Sequence, residues 1–285
     1  MSTHTSFVIF GTGNIGSFVV DELLKLKENG AISTVKIASR SDVIAESHPE
    51  WFSRGGELVV VDYSDETTFL PAMEGVDVVV TALNFNALEK QKDLVKVAKT
   101  AGVKLFVTTD YGVPMDISTT GIWAPKININ KWFEEFGFPY TRVICGGWPE
   151  HLLTKNAGWD LANAKATVNG VGDSKISWTT RKDAARFLSH VLTHLTTSEL
   201  SGKSFRIEGD NITFNEMVAA YEEKTGKKVE VTRIPREVLA EKAAGGDIYS
   251  MFWYDLDMGG GEVEKPLDND LFPGWNPKKV LDVVN

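Results

Sequence analysis

Short apolar segments alternate with amphipathic segments along the first half of the chain. Valine-rich runs without polar interruption are typical of strands that are covered on both faces of a parallel sheet. The segments between them repeat their apolar residues with the helical period. The predicted strands are residues 6–10, 34–38, 57–62, 76–83, 104–109 and 140–145, and the predicted helices are 17–27, 65–73, 88–101 and 127–136. This alternation predicts an α/β fold with a doubly wound parallel sheet, the Rossmann arrangement.

The pattern is less regular in the second half of the chain. The elements predicted there are strands at 165–171 and 175–179, a helix at 181–196, and a mixed group at 204–208, 215–225 and 229–233. We therefore expect a dinucleotide-binding Rossmann domain in residues 1–150, with a return segment near 165–196. Residues 151–285 are expected to form a smaller mixed α/β lobe that binds the substrate.

The first predicted strand leads into a glycine-rich turn, Gly11-Thr12-Gly13-Asn14-Ile15-Gly16. This G-x-G-x-x-G spacing is typical of a turn that holds the pyrophosphate of a dinucleotide at a helix N-terminus. Gly11 permits a tight turn, Gly13 leaves room for the phosphates, and Gly16 allows the helix to pack closely on the strand. The alternative is a Rossmann-like fold whose crevice is empty or serves another purpose.

The residues after the second predicted strand favour NADP(H) over NAD(H). This strand ends in Ser39-Arg40, and an arginine can bind the 2′-phosphate of NADP(H) through charge-assisted hydrogen bonds. A carboxylate at either position would repel that phosphate. Two alternatives stay open: a solvated Arg40 at a strand end, and an NAD site in which Asp42 binds a ribose.

Two further strand ends carry candidate cofactor ligands. Asp62 and Tyr63 follow the third predicted strand, where open α/β sheets place ligands, and are expected to flank the adenine unless they form an ordinary turn. Leu83, Asn84 and Phe85 follow the fourth, and Asn84 could bind the nicotinamide ribose. Asparagine is also a common loop residue, so that alternative stays open.

Composition argues against several classes of protein. The 285 residues carry a formal net charge of −9, which disfavours nucleic acid or an anionic membrane as a partner. No apolar run approaches the roughly 20 residues that a membrane-spanning helix needs. The single cysteine, Cys145, cannot form an intramolecular disulfide, so we expect a cytoplasmic protein. The five histidines are scattered, and we expect no metal site.

The chain resembles the NmrA-like and isoflavone reductase-like family of atypical short-chain dehydrogenases, which includes phenylcoumaran benzylic ether, pinoresinol and isoflavone reductases. The resemblance covers most of residues 5–200. It is carried by the Gly11–Gly16 turn, by Ser39-Arg40, and by the segments 61–65, 106–112, 124–126 and 138–141. It implies a Rossmann fold that binds NADPH.

The resemblance also implies two site residues. Catalytic members of the family use a single lysine at the position of Lys126, and an aromatic residue at the position of Trp148 lies against the nicotinamide. A lysine beside a poorly solvated pocket can relay a proton near neutral pH. Without the resemblance, Lys126 would be interpreted as a solvated residue at a helix start, as Lys131 is. No Tyr-x-x-x-Lys pair is present at Tyr111 or Tyr140 to support conventional short-chain dehydrogenase chemistry.

Aromatic residues from position 111 onwards suggest an aromatic substrate. Trp123 lies three residues before Lys126, and the other candidates for substrate contact are Tyr111, His151 and Trp178. Large aromatic residues also fill protein cores, which is the alternative for each of them.

The leading hypothesis is a reductase, active as a monomer or homodimer, that uses NADPH. It would open a benzylic ether or saturate a conjugated double bond in a small aromatic substrate, with Lys126 relaying the proton. The alternative is a non-catalytic NADP(H)-binding redox sensor of the NmrA type.

Overall fold

The computed structural model describes residues 3–114 and 124–284. Its strands, in chain order, are β1 (Ser6–Phe10), β2 (Thr34–Ser39), β3 (Glu57–Val60), β4 (Val78–Thr81), β5 (Leu105–Gly112), β6 (Tyr140–Ile144), β7 (Lys165–Asn169), β8 (Ile176–Trp178), β9 (Lys203–Arg206), β10 (Asp210–Ile212) and β11 (Glu230–Ile234). Its helices are α1 (Gly16–Glu28), α2 (Val43–Ser47), α3 (Pro49–Ser53), α4 (Phe69–Met73), α5 (Lys90–Thr100), α6 (Ala124–Phe136), α7 (Pro149–Leu152), α8 (Arg181–His194), α9 (Thr197–Leu200), α10 (Phe214–Thr225), α11 (Arg236–Ala244) and α12 (Ile248–Asp255).

Seven strands form the main sheet, in the order β3-β2-β1-β4-β5-β6-β9. The pairs β1–β2, β1–β4, β2–β3 and β4–β5 are parallel, so these five strands end at the same edge of the sheet. From β1 the chain continues to β2 and β3 on one side and to β4 and β5 on the other. Open α/β sheets bind ligands at such a switch point. The predicted doubly wound Rossmann fold is confirmed.

One predicted element lies in a different place from the one expected. The strand near residues 204–208 was predicted in the smaller lobe, but Lys203–Arg206 forms the edge of the main sheet beside β6. The hydroxyl of Thr141 donates to the carbonyl oxygen of Lys203 at 3.0 Å, and the N–H of Gly202 donates to the carbonyl of Tyr140 at 2.7 Å. Strand periodicity identifies such a segment but does not specify its neighbour.

The described residues divide into two compact units. The first contains the described parts of 1–110, 125–143 and 185–205, and the second contains those of 111–124, 144–184 and 206–285. In the first unit, the apolar core includes Val8, Phe10, Phe69, Phe106 and Phe133. In the second, a separate core surrounds Trp159, Trp178 and Phe214 and contacts two short sheets, antiparallel β8–β10 and parallel β7–β11. The domain division near residue 150 stays a prediction.

None of the helices in residues 3–114 and 124–284 is long and apolar enough to span a bilayer.

Asp77 joins the amino ends of three neighbouring strands in the first unit. Its carboxylate accepts hydrogen bonds from the backbone N–H groups of Thr5 and Ser6 at 2.8 and 3.1 Å, just where β1 begins. The ammonium of Lys104, next to β5, lies 2.7 Å from the other carboxylate oxygen. Burial opposes ionisation of Asp77, but the hydrogen bonds from Lys104, Thr5 and Ser6 outweigh it and lower its pKa to about 2.

We expect Asp77→Asn to cost about 2 kcal/mol of unfolding free energy at neutral pH, since each pKa unit corresponds to about 1.4 kcal/mol. The carboxylate's pKa is lower in the folded chain, so its contribution is complete above about pH 4 and is lost as the pH falls towards 2. Urea denaturation of the wild-type protein and of Asp77→Asn, at pH 7 and at several pH values below 4, measures the difference in their unfolding free energy. A stability difference that stays constant with pH would contradict the assignment.

Candidate functional site

The glycine turn brings three backbone segments into close contact. Gly11 has a positive φ of 97°, and a Cβ there would lie 2.4 Å from the carbonyl oxygen of Ala82, at the end of β4. A Cβ on Gly16 would lie 1.9 Å from the carbonyl oxygen of Gly11. Both positions therefore require glycine, and the contacts hold the start of α1 against the end of β1.

Gly13 differs from the other two glycines of the motif, Gly11 and Gly16, because a Cβ at that position would meet no atom within 4 Å. The space where a Gly13 side chain would lie is therefore open. The first turn of α1 has no acidic residue and no side-chain cap at its described positions, so its N–H groups can bind an anion. The geometry fits a turn that holds a diphosphate, with Thr12 and Asn14 alongside Gly13 and with Ile15 buried beneath.

Arg40 extends from the end of β2 at the same sheet edge. Its side chain is exposed, and in residues 3–114 and 124–284 it forms no ion pair with a carboxylate. Burial raises the pKa of the neighbouring Tyr63 to about 12, against the opposing effect of the Arg40 charge. Ser39, the preceding residue, accepts a 3.4 Å hydrogen bond from the N–H of Ser41. An exposed guanidinium without a carboxylate partner can bind a phosphate.

The end of β3 contributes a short turn and a packed tyrosine. Asp62 accepts hydrogen bonds from the N–H and hydroxyl of Ser64 at 2.8 and 2.7 Å, and these bonds lower its pKa. The ring of Tyr63 packs against Phe10 and Phe69, with centroid distances of 6.5 and 5.8 Å. Asp62 is thus ionised within a local turn, and its contact with an adenosine stays a prediction.

A buried polar network fixes the ends of β4 and β5. Gln91 of α5 accepts hydrogen bonds from the hydroxyl of Thr81 at 3.0 Å and the N–H of Thr109 at 2.7 Å. The hydroxyl of Thr109 in turn donates to that of Thr81 at 2.9 Å and accepts from the N–H of Leu83 at 3.1 Å. Asn84 and Phe85 follow directly and are exposed. This network could not be predicted from the sequence, because threonine fits a strand pattern and does not reveal its partner.

Lys126 lies in the first turn of α6 and faces β5. Its ammonium is 3.6 Å from one carboxylate oxygen of Asp110, and the two side chains are only 11% and 8% exposed. The other carboxylate oxygen of Asp110 accepts hydrogen bonds from Arg142 and Asn130, each at 2.8 Å. Lys126 is therefore a largely buried, ion-paired residue, unlike exposed Lys131 on the same helix.

Several predicted residues belong to the second unit. The indole N–H of Trp148 donates to the sulfur of Cys145 at 3.3 Å, and its ring packs edge-to-face on His151 with a centroid distance of 6.0 Å. Partial burial, with the charge of Arg181, lowers the pKa of His151 and favours the neutral ring. Tyr111 is buried.

Trp178 is 1% exposed and donates its indole N–H to the carbonyl of Ile212 at 3.2 Å, as expected of a core residue. Trp123 lies outside the described residues. A cluster of three or more His, Cys, Asp or Glu side chains that could bind a metal is not found within the described parts of the chain. Substrate contacts by these aromatic residues stay predictions.

Comparison with known proteins identifies the family. The model of the NmrA-like family matches residues 2–276. The chain belongs to this family. The resemblance that was inferred from the glycine turn and the later motifs is thereby confirmed.

Relatives in sequence and in fold include plant reductases. Isoflavone reductase from Medicago sativa is 26% identical over 258 residues, which cover 83% of this chain and 81% of that protein. A solved isoflavone reductase structure has a TM-score of 0.81 at 21% identity and covers 99% of both chains. AtPrR2 solved with NADP+ and (+)pinoresinol has a TM-score of 0.83 at 19% identity, covering 100% of this chain and 98% of that one. The likeness in structure supports the fold.

Two glycine substitutions should affect different properties, one the stability of the fold and the other dinucleotide binding. We expect Gly16→Ala to destabilise the protein by about 1–3 kcal/mol, as overpacking does, because its Cβ would meet a backbone oxygen. Gly13→Ala should leave the melting temperature nearly unchanged but weaken dinucleotide binding, because its methyl group occupies the open space. Thermal denaturation and calorimetry with NADPH measure the two effects. Equal destabilisation by both substitutions would contradict this division of roles.

Proposed function

We propose that this protein is an NADPH-dependent reductase of small aromatic compounds. The observation that carries the proposal is Lys126, largely buried and ion-paired beside β5, at the sheet edge to which the Gly11–Gly16 turn also belongs. A buried lysine at the ligand-binding edge of a Rossmann sheet is placed to exchange a proton with a bound molecule.

The residues of the first unit fit NADP(H). The N–H groups of the Gly11–Gly16 turn and of the start of α1 would hold the pyrophosphate, and Arg40 would bind the 2′-phosphate. Asn84 would bind the nicotinamide ribose. The binding of NADP(H) or NADPH by several structural neighbours supports this choice of cofactor.

When bound, NADPH supplies a hydride to an electrophilic carbon. In a benzylic ether, the electron pair of the breaking carbon–oxygen bond passes to oxygen, and the ammonium of Lys126 donates the proton that this oxygen needs. In a conjugated double bond, the same ammonium neutralises the charge that develops on the conjugated system. Trp148 would present an apolar surface to the nicotinamide, and the aromatic candidates Tyr111, Trp123, His151 and Trp178 would contact the substrate.

Two substitutions near the end of β2 test the cofactor assignment. We expect Arg40→Ala to weaken NADPH binding about tenfold or more, a loss of about 1.4 kcal/mol, and to leave NADH binding nearly unchanged. Asp42→Asn is the matched control, because it alters a neighbouring charge that would matter only in an NAD site. Calorimetric titration with both nucleotides gives the four affinities. Selective loss of NADH binding in the Asp42 variant would support an NAD enzyme instead.

Lys126→Ala tests the proposed chemistry. We expect turnover to fall by about a hundredfold or more, the usual contribution of a general acid, with little change in NADPH affinity. Lys131→Ala is the control, since it removes an exposed lysine from the same helix. NADPH oxidation is followed with a panel of phenolic ethers and enones.

Unchanged turnover in the Lys126 variant would remove the proton-relay role. If the wild-type protein binds NADP+ and NADPH but oxidises NADPH with no member of the panel, the protein is better described as a redox sensor.

A further inference from the structure

We propose that Asp110 is the positioning residue for Lys126. This inference rests on the proposed function, because it explains how the reacting lysine is held in place. Asp110 belongs to β5 and is itself 6% exposed. Its two carboxylate oxygens have different partners, so the group is fixed on one side and faces the lysine on the other.

The fixed side is the Oδ2 atom. A guanidinium nitrogen of Arg142, on β6, lies 2.8 Å away, and the side-chain amide of Asn130 donates at the same distance. Arg142 is held in turn by the hydroxyl of Ser204 on β9, which accepts a 2.6 Å hydrogen bond from its Nε atom. The carboxylate is therefore anchored through three adjacent strands of the main sheet.

The opposite side is the Oδ1 atom, which lies 3.6 Å from the ammonium of Lys126. Lys126 and Asn130 are four residues apart on α6, and residues with this spacing share one helix face. This helix face thus supplies Asn130, which holds the Asp110 carboxylate, and Lys126, which the carboxylate holds in turn.

The location of Lys126 makes this contact necessary. The amino end of a helix carries partial positive charge, so an ammonium in the first turn of α6 is in an unfavourable position. The helix has no acidic residue among the described positions of that turn, and the lysine side chain is largely removed from water. The Asp110 carboxylate compensates both effects by supplying an opposite charge at this position.

Neutralising Asp110 would change the charges around Lys126. Arg142 would lose its counter-ion and repel the ammonium more strongly. Tyr140 and Glu134 lie on the neighbouring β6 and α6, and the hydroxyl of Tyr140 donates to Glu134 at 3.4 Å. Burial raises the pKa of Tyr140, so it is neutral near pH 7. Loss of the Asp110 charge should therefore release the Lys126 side chain from its position beside β5.

The experiment compares Asp110→Asn with Asp77→Asn, which also breaks a carboxylate–lysine pair but at the opposite edge of the sheet. The surroundings of the Lys126 side chain are followed in the cofactor-free protein at pH 7 by NMR of ¹³Cε-labelled lysine, with Lys126→Arg to assign the signal. We expect this signal to move towards that of an exposed lysine such as Lys131 in the Asp110 variant and to stay unchanged in the Asp77 variant. Asp110→Glu should reverse most of the change.

Kinetics provide the second measurement. We expect Asp110→Asn to lower kcat about tenfold or more, with the KM for NADPH unchanged. If this variant does not fold, Asn130→Ala replaces it. That variant keeps every charge and removes one bond to Oδ2, so it should lower kcat without altering NADPH affinity.

The outcomes separate this inference from the proposed function. A Lys126 signal that is the same in wild type and Asp110→Asn overturns the positioning role alone, and so does wild-type kcat in Asn130→Ala when that variant replaces Asp110→Asn. A changed signal together with full turnover in Lys126→Ala overturns the proton relay and the positioning role with it. A changed signal with the lowered kcat supports both.

Discussion

The close backbone contact between Gly11, Gly16 and Ala82 is the constraint on which the candidate site depends. It allows α1 to begin against the end of β1 and brings the end of β4 beside it, with separations that no side chain would permit. Because β1 pairs in parallel with both β2 and β4, the ends of these strands lie at one edge. The positions of Arg40 and Asn84 relative to the glycine turn follow from this arrangement.

Apolar burial cannot position those strand ends to the accuracy that ligand binding needs. Hydrophobic packing is non-directional, whereas the hydrogen bonds that link Thr81, Gln91 and Thr109 have defined lengths and directions. Leaving one of these buried groups without a partner would cost about 1–3 kcal/mol. The network therefore resists displacement of β4 against β5, and it positions Leu83 and Asn84 through the hydrogen bond from the N–H of Leu83.

Much of the first unit could be predicted from sequence because its signals are local. The Gly11–Gly16 turn, the valine-rich strands and the intervening helices each depend on residues adjacent in the chain. The edge position of Lys203–Arg206 could not be predicted, because its pairing with β6 joins residues about sixty positions apart. Asp110 was missed for a similar reason. An acidic residue near the end of a strand suggests a loop, and only the fold brings Asn130 and Arg142 to its carboxylate.

The charges around Lys126 restrict where this lysine can lie. One carboxylate, Asp110, faces two cations, Lys126 and Arg142, in a place largely removed from water. Removing that carboxylate would take from both cations the counter-ion that they share, and breaking a buried ion pair in this way costs about 3–5 kcal/mol. The ion pair therefore bears on the position of Lys126 and not on the direction of the proposed reaction, because a group that donates a proton in one direction accepts it in the other.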